Sequence, residues 1–453
     1  MKLYISLLLV FLTAIVNAQD KKWTLEECVN YALENNITIQ QTQLDNELIA
    51  IDKKDAFGSF LPSVNANASH TWNIGLNINP ISNAAETQTF QNTSAGIDVG
   101  IDIYKGMQNQ HRLRRADLAK IASQYQLSKI KDDISLNVAN SFLQILFNKE
   151  NLKVQQKLLQ NNLQQKQRTQ TLVDAGSVPR GDLLDMTATV ATSQQAVIMA
   201  ENALLISKLS LAQLLQLEDF KTFDIIESEV PLSENDVMLQ SADAIYAKAK
   251  EERVELKIAR ANLEIAKKDI DIARSALQPT LRGFYSFSTR ATNSDRYSTD
   301  ANGNFIVRGP DALFNQFNDN KGNAFGLQLS IPILNGFSVK NNIERSKIAF
   351  KRSEIAINQQ ELDLKRNVYT AFTDANGALN TYEAAVTALE ARTESYKYAQ
   401  QRFEVGLLNA FDLNQAQTLF ANAESEVIRT KYDYIFRVKV VEFYFGIPIT
   451  KRQ

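Results

Sequence analysis

Side chains able to carry out chemistry are thinly spread along this sequence. It holds two histidines, His70 and His111, and one cysteine, Cys28, among 453 residues. Each histidine stands alone, and no phosphate loop, metal-spaced Cys/His set or nucleophile motif accompanies them. An enzyme therefore has little to stand on, and neither cofactor nor metal is expected. Cys28, inside "LEECVN", has no partner for a disulfide and reads as a buried apolar residue. A net charge of -2 gives no reason to expect nucleic acid. What remains are carboxylates in two matching settings, "DAGSVPRGDLLDMT" and "EVGLLNAFDLNQAQ". In each, an aspartate follows a glycine by six residues: Asp182 after Gly176, and Asp412 after Gly406. An acid there can offset a helix dipole beside a cap such as Asn409.

Both acids follow breaks in long helical runs. No proline occurs between Pro80 and Pro179, nor between Pro332 and Pro448. The pattern predicts helices over 107–175 and 337–405, 69 residues each. At 1.5 Å per residue each would be roughly 100 Å long. In the second, Ile348, Ile355, Leu362 and Tyr369 form one stripe, and Phe350, Ile357, Leu364, Ala371 and Ala378 form another. Two residues apart is about 200° around a helix, so the stripes lie on nearly opposite sides. Such a helix has a neighbour on each flank, as in the wall of a tube. A two-stranded coiled coil would need one stripe only. The first copy carries Val138, Ile145, Leu152 and Leu159, with a weaker second stripe at Phe147 and Val154.

The chain is written twice. "FLPSV" at 60–64 matches "LQPTL" at 277–281, an offset of 217; "IDIYKG" at 101–106 matches "IPILNG" at 331–336, an offset of 230, as do the two glycine breaks. The intervening "TNSDRYSTDANGNF" and "NQFNDNKGN" read as a long polar loop. Between proline and glycine in each half the period becomes two, predicting strand pairs at 64–76 with 94–104 and at 281–291 with 324–333. Strands of about ten residues suit a tilted membrane β-strand. Four cannot close a barrel, because the smallest need about eight, and lipid tolerates no open edge. Several copies must share one.

The opening "MKLYISLLLVFLTAIVNA" reads as a secretory signal peptide, 1–18. No later stretch reads as long enough to span a membrane as a helix. The expected organisation is a first repeat at 19–217 with its tip near 176–182, a connecting segment at 218–240, and a second repeat at 241–453 with its tip near 406–412. The basic run "HRLRR", 111–115, opposes a helix dipole. Phospholipid headgroups or a solvated face would each account for it.

Signal peptide, duplicated halves, hairpins and glycine-broken helices together resemble the TolC-like outer-membrane efflux family. "RFEVGLLNAFDLNQAQ" at 402–417 is similar to its helix-turn signature and "TLEECVNYALENN" at 24–36 to its opening helix. The resemblance implies a mainly α fold with a membrane β-barrel part. Three chains of four strands each would complete a 12-stranded barrel, and their coiled helices a periplasmic tunnel, the 218–240 segment forming part of an equatorial belt. It implies a homotrimer in outer-membrane lipid, serving a periplasmic adaptor (membrane fusion) protein and an inner-membrane pump as the exit duct of tripartite efflux. A type I protein secretion duct and a non-pore periplasmic scaffold are the alternatives. The resemblance implies adaptor contacts at Gly176, Ser177, Val178, Gly406, Leu407 and Leu408, and a periplasmic gate at Asp182, Asp412, Arg180 and Phe403. Acids ringing a narrow pore there would attract cations, and an acid could gate and cap its helix at once. Two departures stand out. A second acid expected three residues after Asp412 is Gln415, and the arginine of an aromatic–arginine latch is replaced by Leu408, leaving Arg180 as its nearest substitute beside Phe403.

Overall fold

The computed structural model describes residues 22–78, 83–87, 89–218, 220, 222–227, 236–303 and 305–449, so the expected signal peptide lies outside the described residues. The chain divides into two units. One, formed by residues 47–123 and 260–355, is built around a four-stranded antiparallel sheet.

Its strands are β2 (Ser63–Asn73), β5 (Phe90–Lys105), β7 (Thr280–Thr292) and β10 (Gly322–Ser330). They lie in the order β10-β7-β5-β2. The two hairpins share one register: Ser63 faces Gly100, and Thr280 faces Ser330, their counterparts at the offsets of 217 and 230. Alternation divides the sheet into faces. Val64, Trp72, Ile97, Tyr285, Phe325 and Leu327 stand on one, all exposed. On the other, Asp98 accepts hydrogen bonds from Asn67 at 2.9 Å and Ser286 at 2.7 Å. β2 and β10 are outer strands, each with one side unpaired among the described residues.

The strand limits differ from the sequence pattern for local reasons. β2 ends at Asn73 rather than 76, because Gly75 turns the chain at φ +119 before a small hairpin of β3 (Leu76–Ile78) and β4 (Ala85–Thr87). β10 stops at Ser330 although the apolar alternation runs on to Ile333; Pro332 has no N–H to give a ladder. The stretch read as a polar loop is structured. It holds the hairpin β8 (Arg296–Thr299) and β9 (Phe305–Arg308) and helix α7 (Leu313–Asp319). Gln316, 5% exposed, anchors it by accepting from the Thr292 N–H and donating to the Thr292 carbonyl.

The second unit, residues 22–46, 124–259 and 356–449 among those described, is helical. Its helices are α1 (Leu25–Asn35), α3 (Gln108–Asp174), α4 (Arg180–Leu215), α5 (Ala242–Glu252), α6 (Val254–Ser275), α8 (Ser338–Glu404) and α9 (Ala410–Phe445). α2 (Ile37–Gly58), α3, α6 and α8 contribute residues to both units. α3 and α8 each have 67 residues, and α4 and α9 each have 36. The long pair falls one residue short of the expected span at each end. Met107 and Phe337 take left-handed φ of 65° and 64°, and Ala175 and Val405 already belong to the turns.

The unit has two main apolar cores, and they are copies. Cys28, Ala32, Ile39, Val138 and Leu211 in one occupy the places of Ile245, Ala249, Leu256, Val368 and Val441 in the other. Cys28 is fully buried, filling the place of an isoleucine. Opposed stripes on α8 are also present. Leu364, Ala371 and Ala378 are buried within the chain, whereas Ile348, Ile355 and Leu362 are 60, 67 and 64% exposed. Against the expectation that no later stretch could span a membrane as a helix, α4 is long and apolar enough to do so by length and composition alone. The cause is a second apolar side: Met199 and Ile206 are exposed while Val197, Ala200 and Leu211 are buried.

Candidate functional site

The two glycine breaks fold alike. Gly176 and Gly406 take φ of +69° and +75°. The Ser177 N–H reaches the Leu172 carbonyl at 2.8 Å, and the Leu407 N–H reaches the Arg402 carbonyl at 2.8 Å. With the bonds from Gly176 to Val173 and from Gly406 to Phe403, this is a Schellman end in both copies. The turns exist because glycine enters the left-handed region without steric cost. Gly176, Ser177, Gly406 and Leu407 are exposed; Val178 and Leu408 are half-buried.

The outgoing helices start differently. Asn409 caps α9, its side chain accepting the Asp412 N–H at 2.8 Å. Pro179 precedes α4 and supplies no side-chain cap. Asp412 is exposed, whereas Asp182 lines a cavity of about 270 Å³ between the two turns, together with Asp185, Thr189, Asn409, Phe411 and Asn414. Asn414 Nδ2 donates to Thr189 Oγ1 at 3.1 Å across it. Two acids three residues apart, Asp182 and Asp185, thus stand together on the first hairpin, where the second has Asp412 and Gln415. The sequence carries their signal in the spacing of "GDLLD".

Phe403 is not partnered by Arg180. Its ring centroid lies 5.3 Å from the guanidinium of Arg168, on α3. Arg180 is exposed in the first turn of α4 and has no ion-pair partner among the described residues. Sequence spacing offers no signal for Arg168, which comes eight residues before Gly176 in a glutamine-rich run.

A second polar cluster holds the connecting segment. β1 (Lys22–Trp23) pairs in parallel with β6 (Asp224–Ile225). Lys149 on α3, its side chain 7% exposed, donates to the Ile225 carbonyl at 2.9 Å and meets Asp224 at 2.8 Å. Lys208 on α4 meets the same carboxylate at 2.8 Å. Burial pushes the Asp224 carboxyl up, but hydrogen bonds from Lys149 and Lys208 outweigh it and hold it below the usual carboxylate range. Glu227 is likewise lowered, by Lys153. In the basic run, Arg115 pairs with Asp269 at 2.6 Å and His111 lies 3.9 Å from Asp271. Carboxylates of α6 thus answer part of that charge.

The matched proteins share this architecture. A family model described as outer membrane efflux protein matches residues 28–216 and 245–438, leaving out the connecting segment between the two copies. Outer membrane protein TolC of Escherichia coli (strain K12) is 22% identical over 113 residues, which span 25% of this chain and 23% of that relative. Among solved structures, the Campylobacter jejuni CmeC outer membrane channel superposes with a TM-score of 0.79 at 17% identity, covering 95% of this chain and 87% of that one. The outer membrane protein VceC from Vibrio cholerae gives 0.76 at 13% identity, with coverage of 93% and 96%.

Proposed function

This chain belongs to the outer membrane efflux protein family, and from that premise we propose that three copies close into one channel-tunnel, the exit duct of a tripartite efflux system. The observation that carries this reading is the unfinished state of a single chain. Among the described residues its four-stranded sheet ends in two unpaired edges, and open edges are not tolerated in hydrocarbon. Its helix α8 leaves a second apolar stripe, Ile348, Ile355 and Leu362, uncovered. A further copy on each side supplies both wants at once, and three copies give twelve strands, the number the resemblance implies.

The tips around Gly176 and Gly406 are then the inner-membrane-facing end. Exposed Ser177 and Leu407 present the surface for a periplasmic adaptor, which joins the duct to an inner-membrane pump. Asp182, with Asp185, sits where three copies would ring the narrowing with negative charge. Conduction is passive; the duct supplies a polar, closed path and the pump supplies direction. Planar-bilayer recording from the detergent-extracted chain tests this: discrete cation-blockable conductance supports it, and its absence from oligomeric protein contradicts it.

A further inference from the structure

We propose that neighbouring copies join their sheet edges in one fixed register, β10 of one chain running antiparallel to β2 of the next. Leu329 then stands opposite Ala68 of the next copy, Gln328 opposite its Ser69, Leu327 opposite its His70 and Phe325 opposite its Trp72. This rests on the multi-copy reading above and adds to it the identity of the paired residues.

The template is inside the chain. β5 and β7, which come from different halves of the sequence, pair with Val99 opposite Tyr285, Asp98 opposite Ser286, Ile97 opposite Phe287 and Ala95 opposite Thr289. The two hairpins share one register under displacements of 217 and 230, so those displacements are structural equivalences and not only sequence ones. Moving β5 forward by 230 and β7 back by 217 turns the junction within a chain into the junction between chains. Both faces agree with the result. Apolar Phe325, 84% exposed, meets Trp72, 62% exposed, on one side of the sheet. Gln328 meets Ser69 on the other. A slip of one residue would set apolar against polar along the whole seam.

A second observation comes from the foot of the sheet. A Cβ added to Gly106 would lie 2.4 Å from the Ser275 carbonyl oxygen, because that glycine abuts the end of α6. A Cβ on Gly336, its counterpart, has nothing within 4 Å among the described residues. Beside Gly106, Tyr104 donates to Gln278. The corresponding residues are Leu334 and Leu61, 89% and 57% exposed. An open glycine and two uncovered leucines are what remains when a junction has been cut along its middle.

Slips by two residues preserve the faces, so the test must resolve them. Directly opposed residues have Cβ atoms about 4.5–5.5 Å apart and diagonal ones about 7–8 Å, and a disulfide needs about 3.5–4.5 Å. Of two successive opposed pairs, one is always of the closely spaced type. The full chain would therefore carry Ala68→Cys with Leu329→Cys, or Ser69→Cys with Gln328→Cys. The slipped controls are Ala66→Cys with Leu329→Cys, and Asn67→Cys with Gln328→Cys. Native Cys28 is fully buried and does not compete. After mild oxidation in outer-membrane vesicles, at least one in-register pair should give covalent dimers and trimers on denaturing gels, in at least tenfold excess over both controls. Equal or stronger cross-linking in a control overturns the register. So does failure of both in-register pairs in protein that native mass shows to be oligomeric. Monomeric protein would instead sink the assembly, and the register with it.

Discussion

The guanidinium of Arg168 lies 5.3 Å from the ring centroid of Phe403, joining α3 of the first hairpin to α8 of the second just above their turns. The repeat breaks its symmetry here. The counterparts of these residues, Tyr398 and Val173, hold no cation. The proposed contact between chains, which would bring those counterparts together, would lack this tie.

Removing that tie should loosen the tip. An exposed cation–π contact contributes about 0.5–1 kcal/mol. Arg168→Ala and Phe403→Ala should each raise mean single-channel conductance, and the double variant should add little beyond either. Strictly additive effects would show that the pair is not coupled.

Cation block should follow the first hairpin. Asp182 and Asp185 line the cavity between the turns, whereas Asp412 is exposed and lies outside it. Asp182→Asn with Asp185→Asn should weaken block by a multivalent cation at least tenfold. Asp412→Asn should change it less, and the reverse order, read from current against cation concentration, would count against this assignment.

The turns should be sensitive to backbone alone. Nothing lies within 4 Å of a Cβ built on Gly176 or Gly406, so alanine there meets no clash, only a left-handed φ. That costs about 1–2 kcal/mol. Asn409→Ala should cost about 1 kcal/mol through loss of the cap. Hydrogen exchange at Ser177 and Leu407 should quicken in the respective glycine variants while exchange in the Val138 and Val368 cores stays unchanged.

Acid should release the connecting segment. Asp224 is held below its ordinary range by Lys149 and Lys208. A carboxyl lowered by folding stabilises the fold fully above its unfolded value, and that contribution is lost as pH falls through the folded value. Proteolysis near residues 218–227 should therefore rise below the usual carboxylate range, and Asp224→Asn should flatten the rise. Lys149→Ala should loosen the segment at neutral pH, because it removes both the ion pair with Asp224 and the hydrogen bond to the Ile225 carbonyl.

What the residues revealed in advance was whatever has a short period. The alternation from Val64 to Trp72 marks a strand because successive side chains change face. The stripes on α8 follow from 3.6 residues per turn. Gly176 and Gly406 announce their turns because few other residues accept that φ. The features that escaped are long-range or depend on one side chain. Arg168 meets Phe403 across 235 positions, and no local pattern records it. Gln316 orders a polar stretch that composition marks as loop. Lys149 looks like any solvated lysine until Asp224 and the Ile225 carbonyl are brought to it. Arg180 stands in the matching turn of the other copy, and the fold places a different arginine, Arg168, against the ring.

The central claim is that one polypeptide supplies a third of a closed wall. Native mass spectrometry of the full chain, extracted from outer membrane in mild detergent, weighs that claim most directly. The account predicts a species of three copies that survives dilution. A stable monomer, or a closed assembly of any other number, would contradict it.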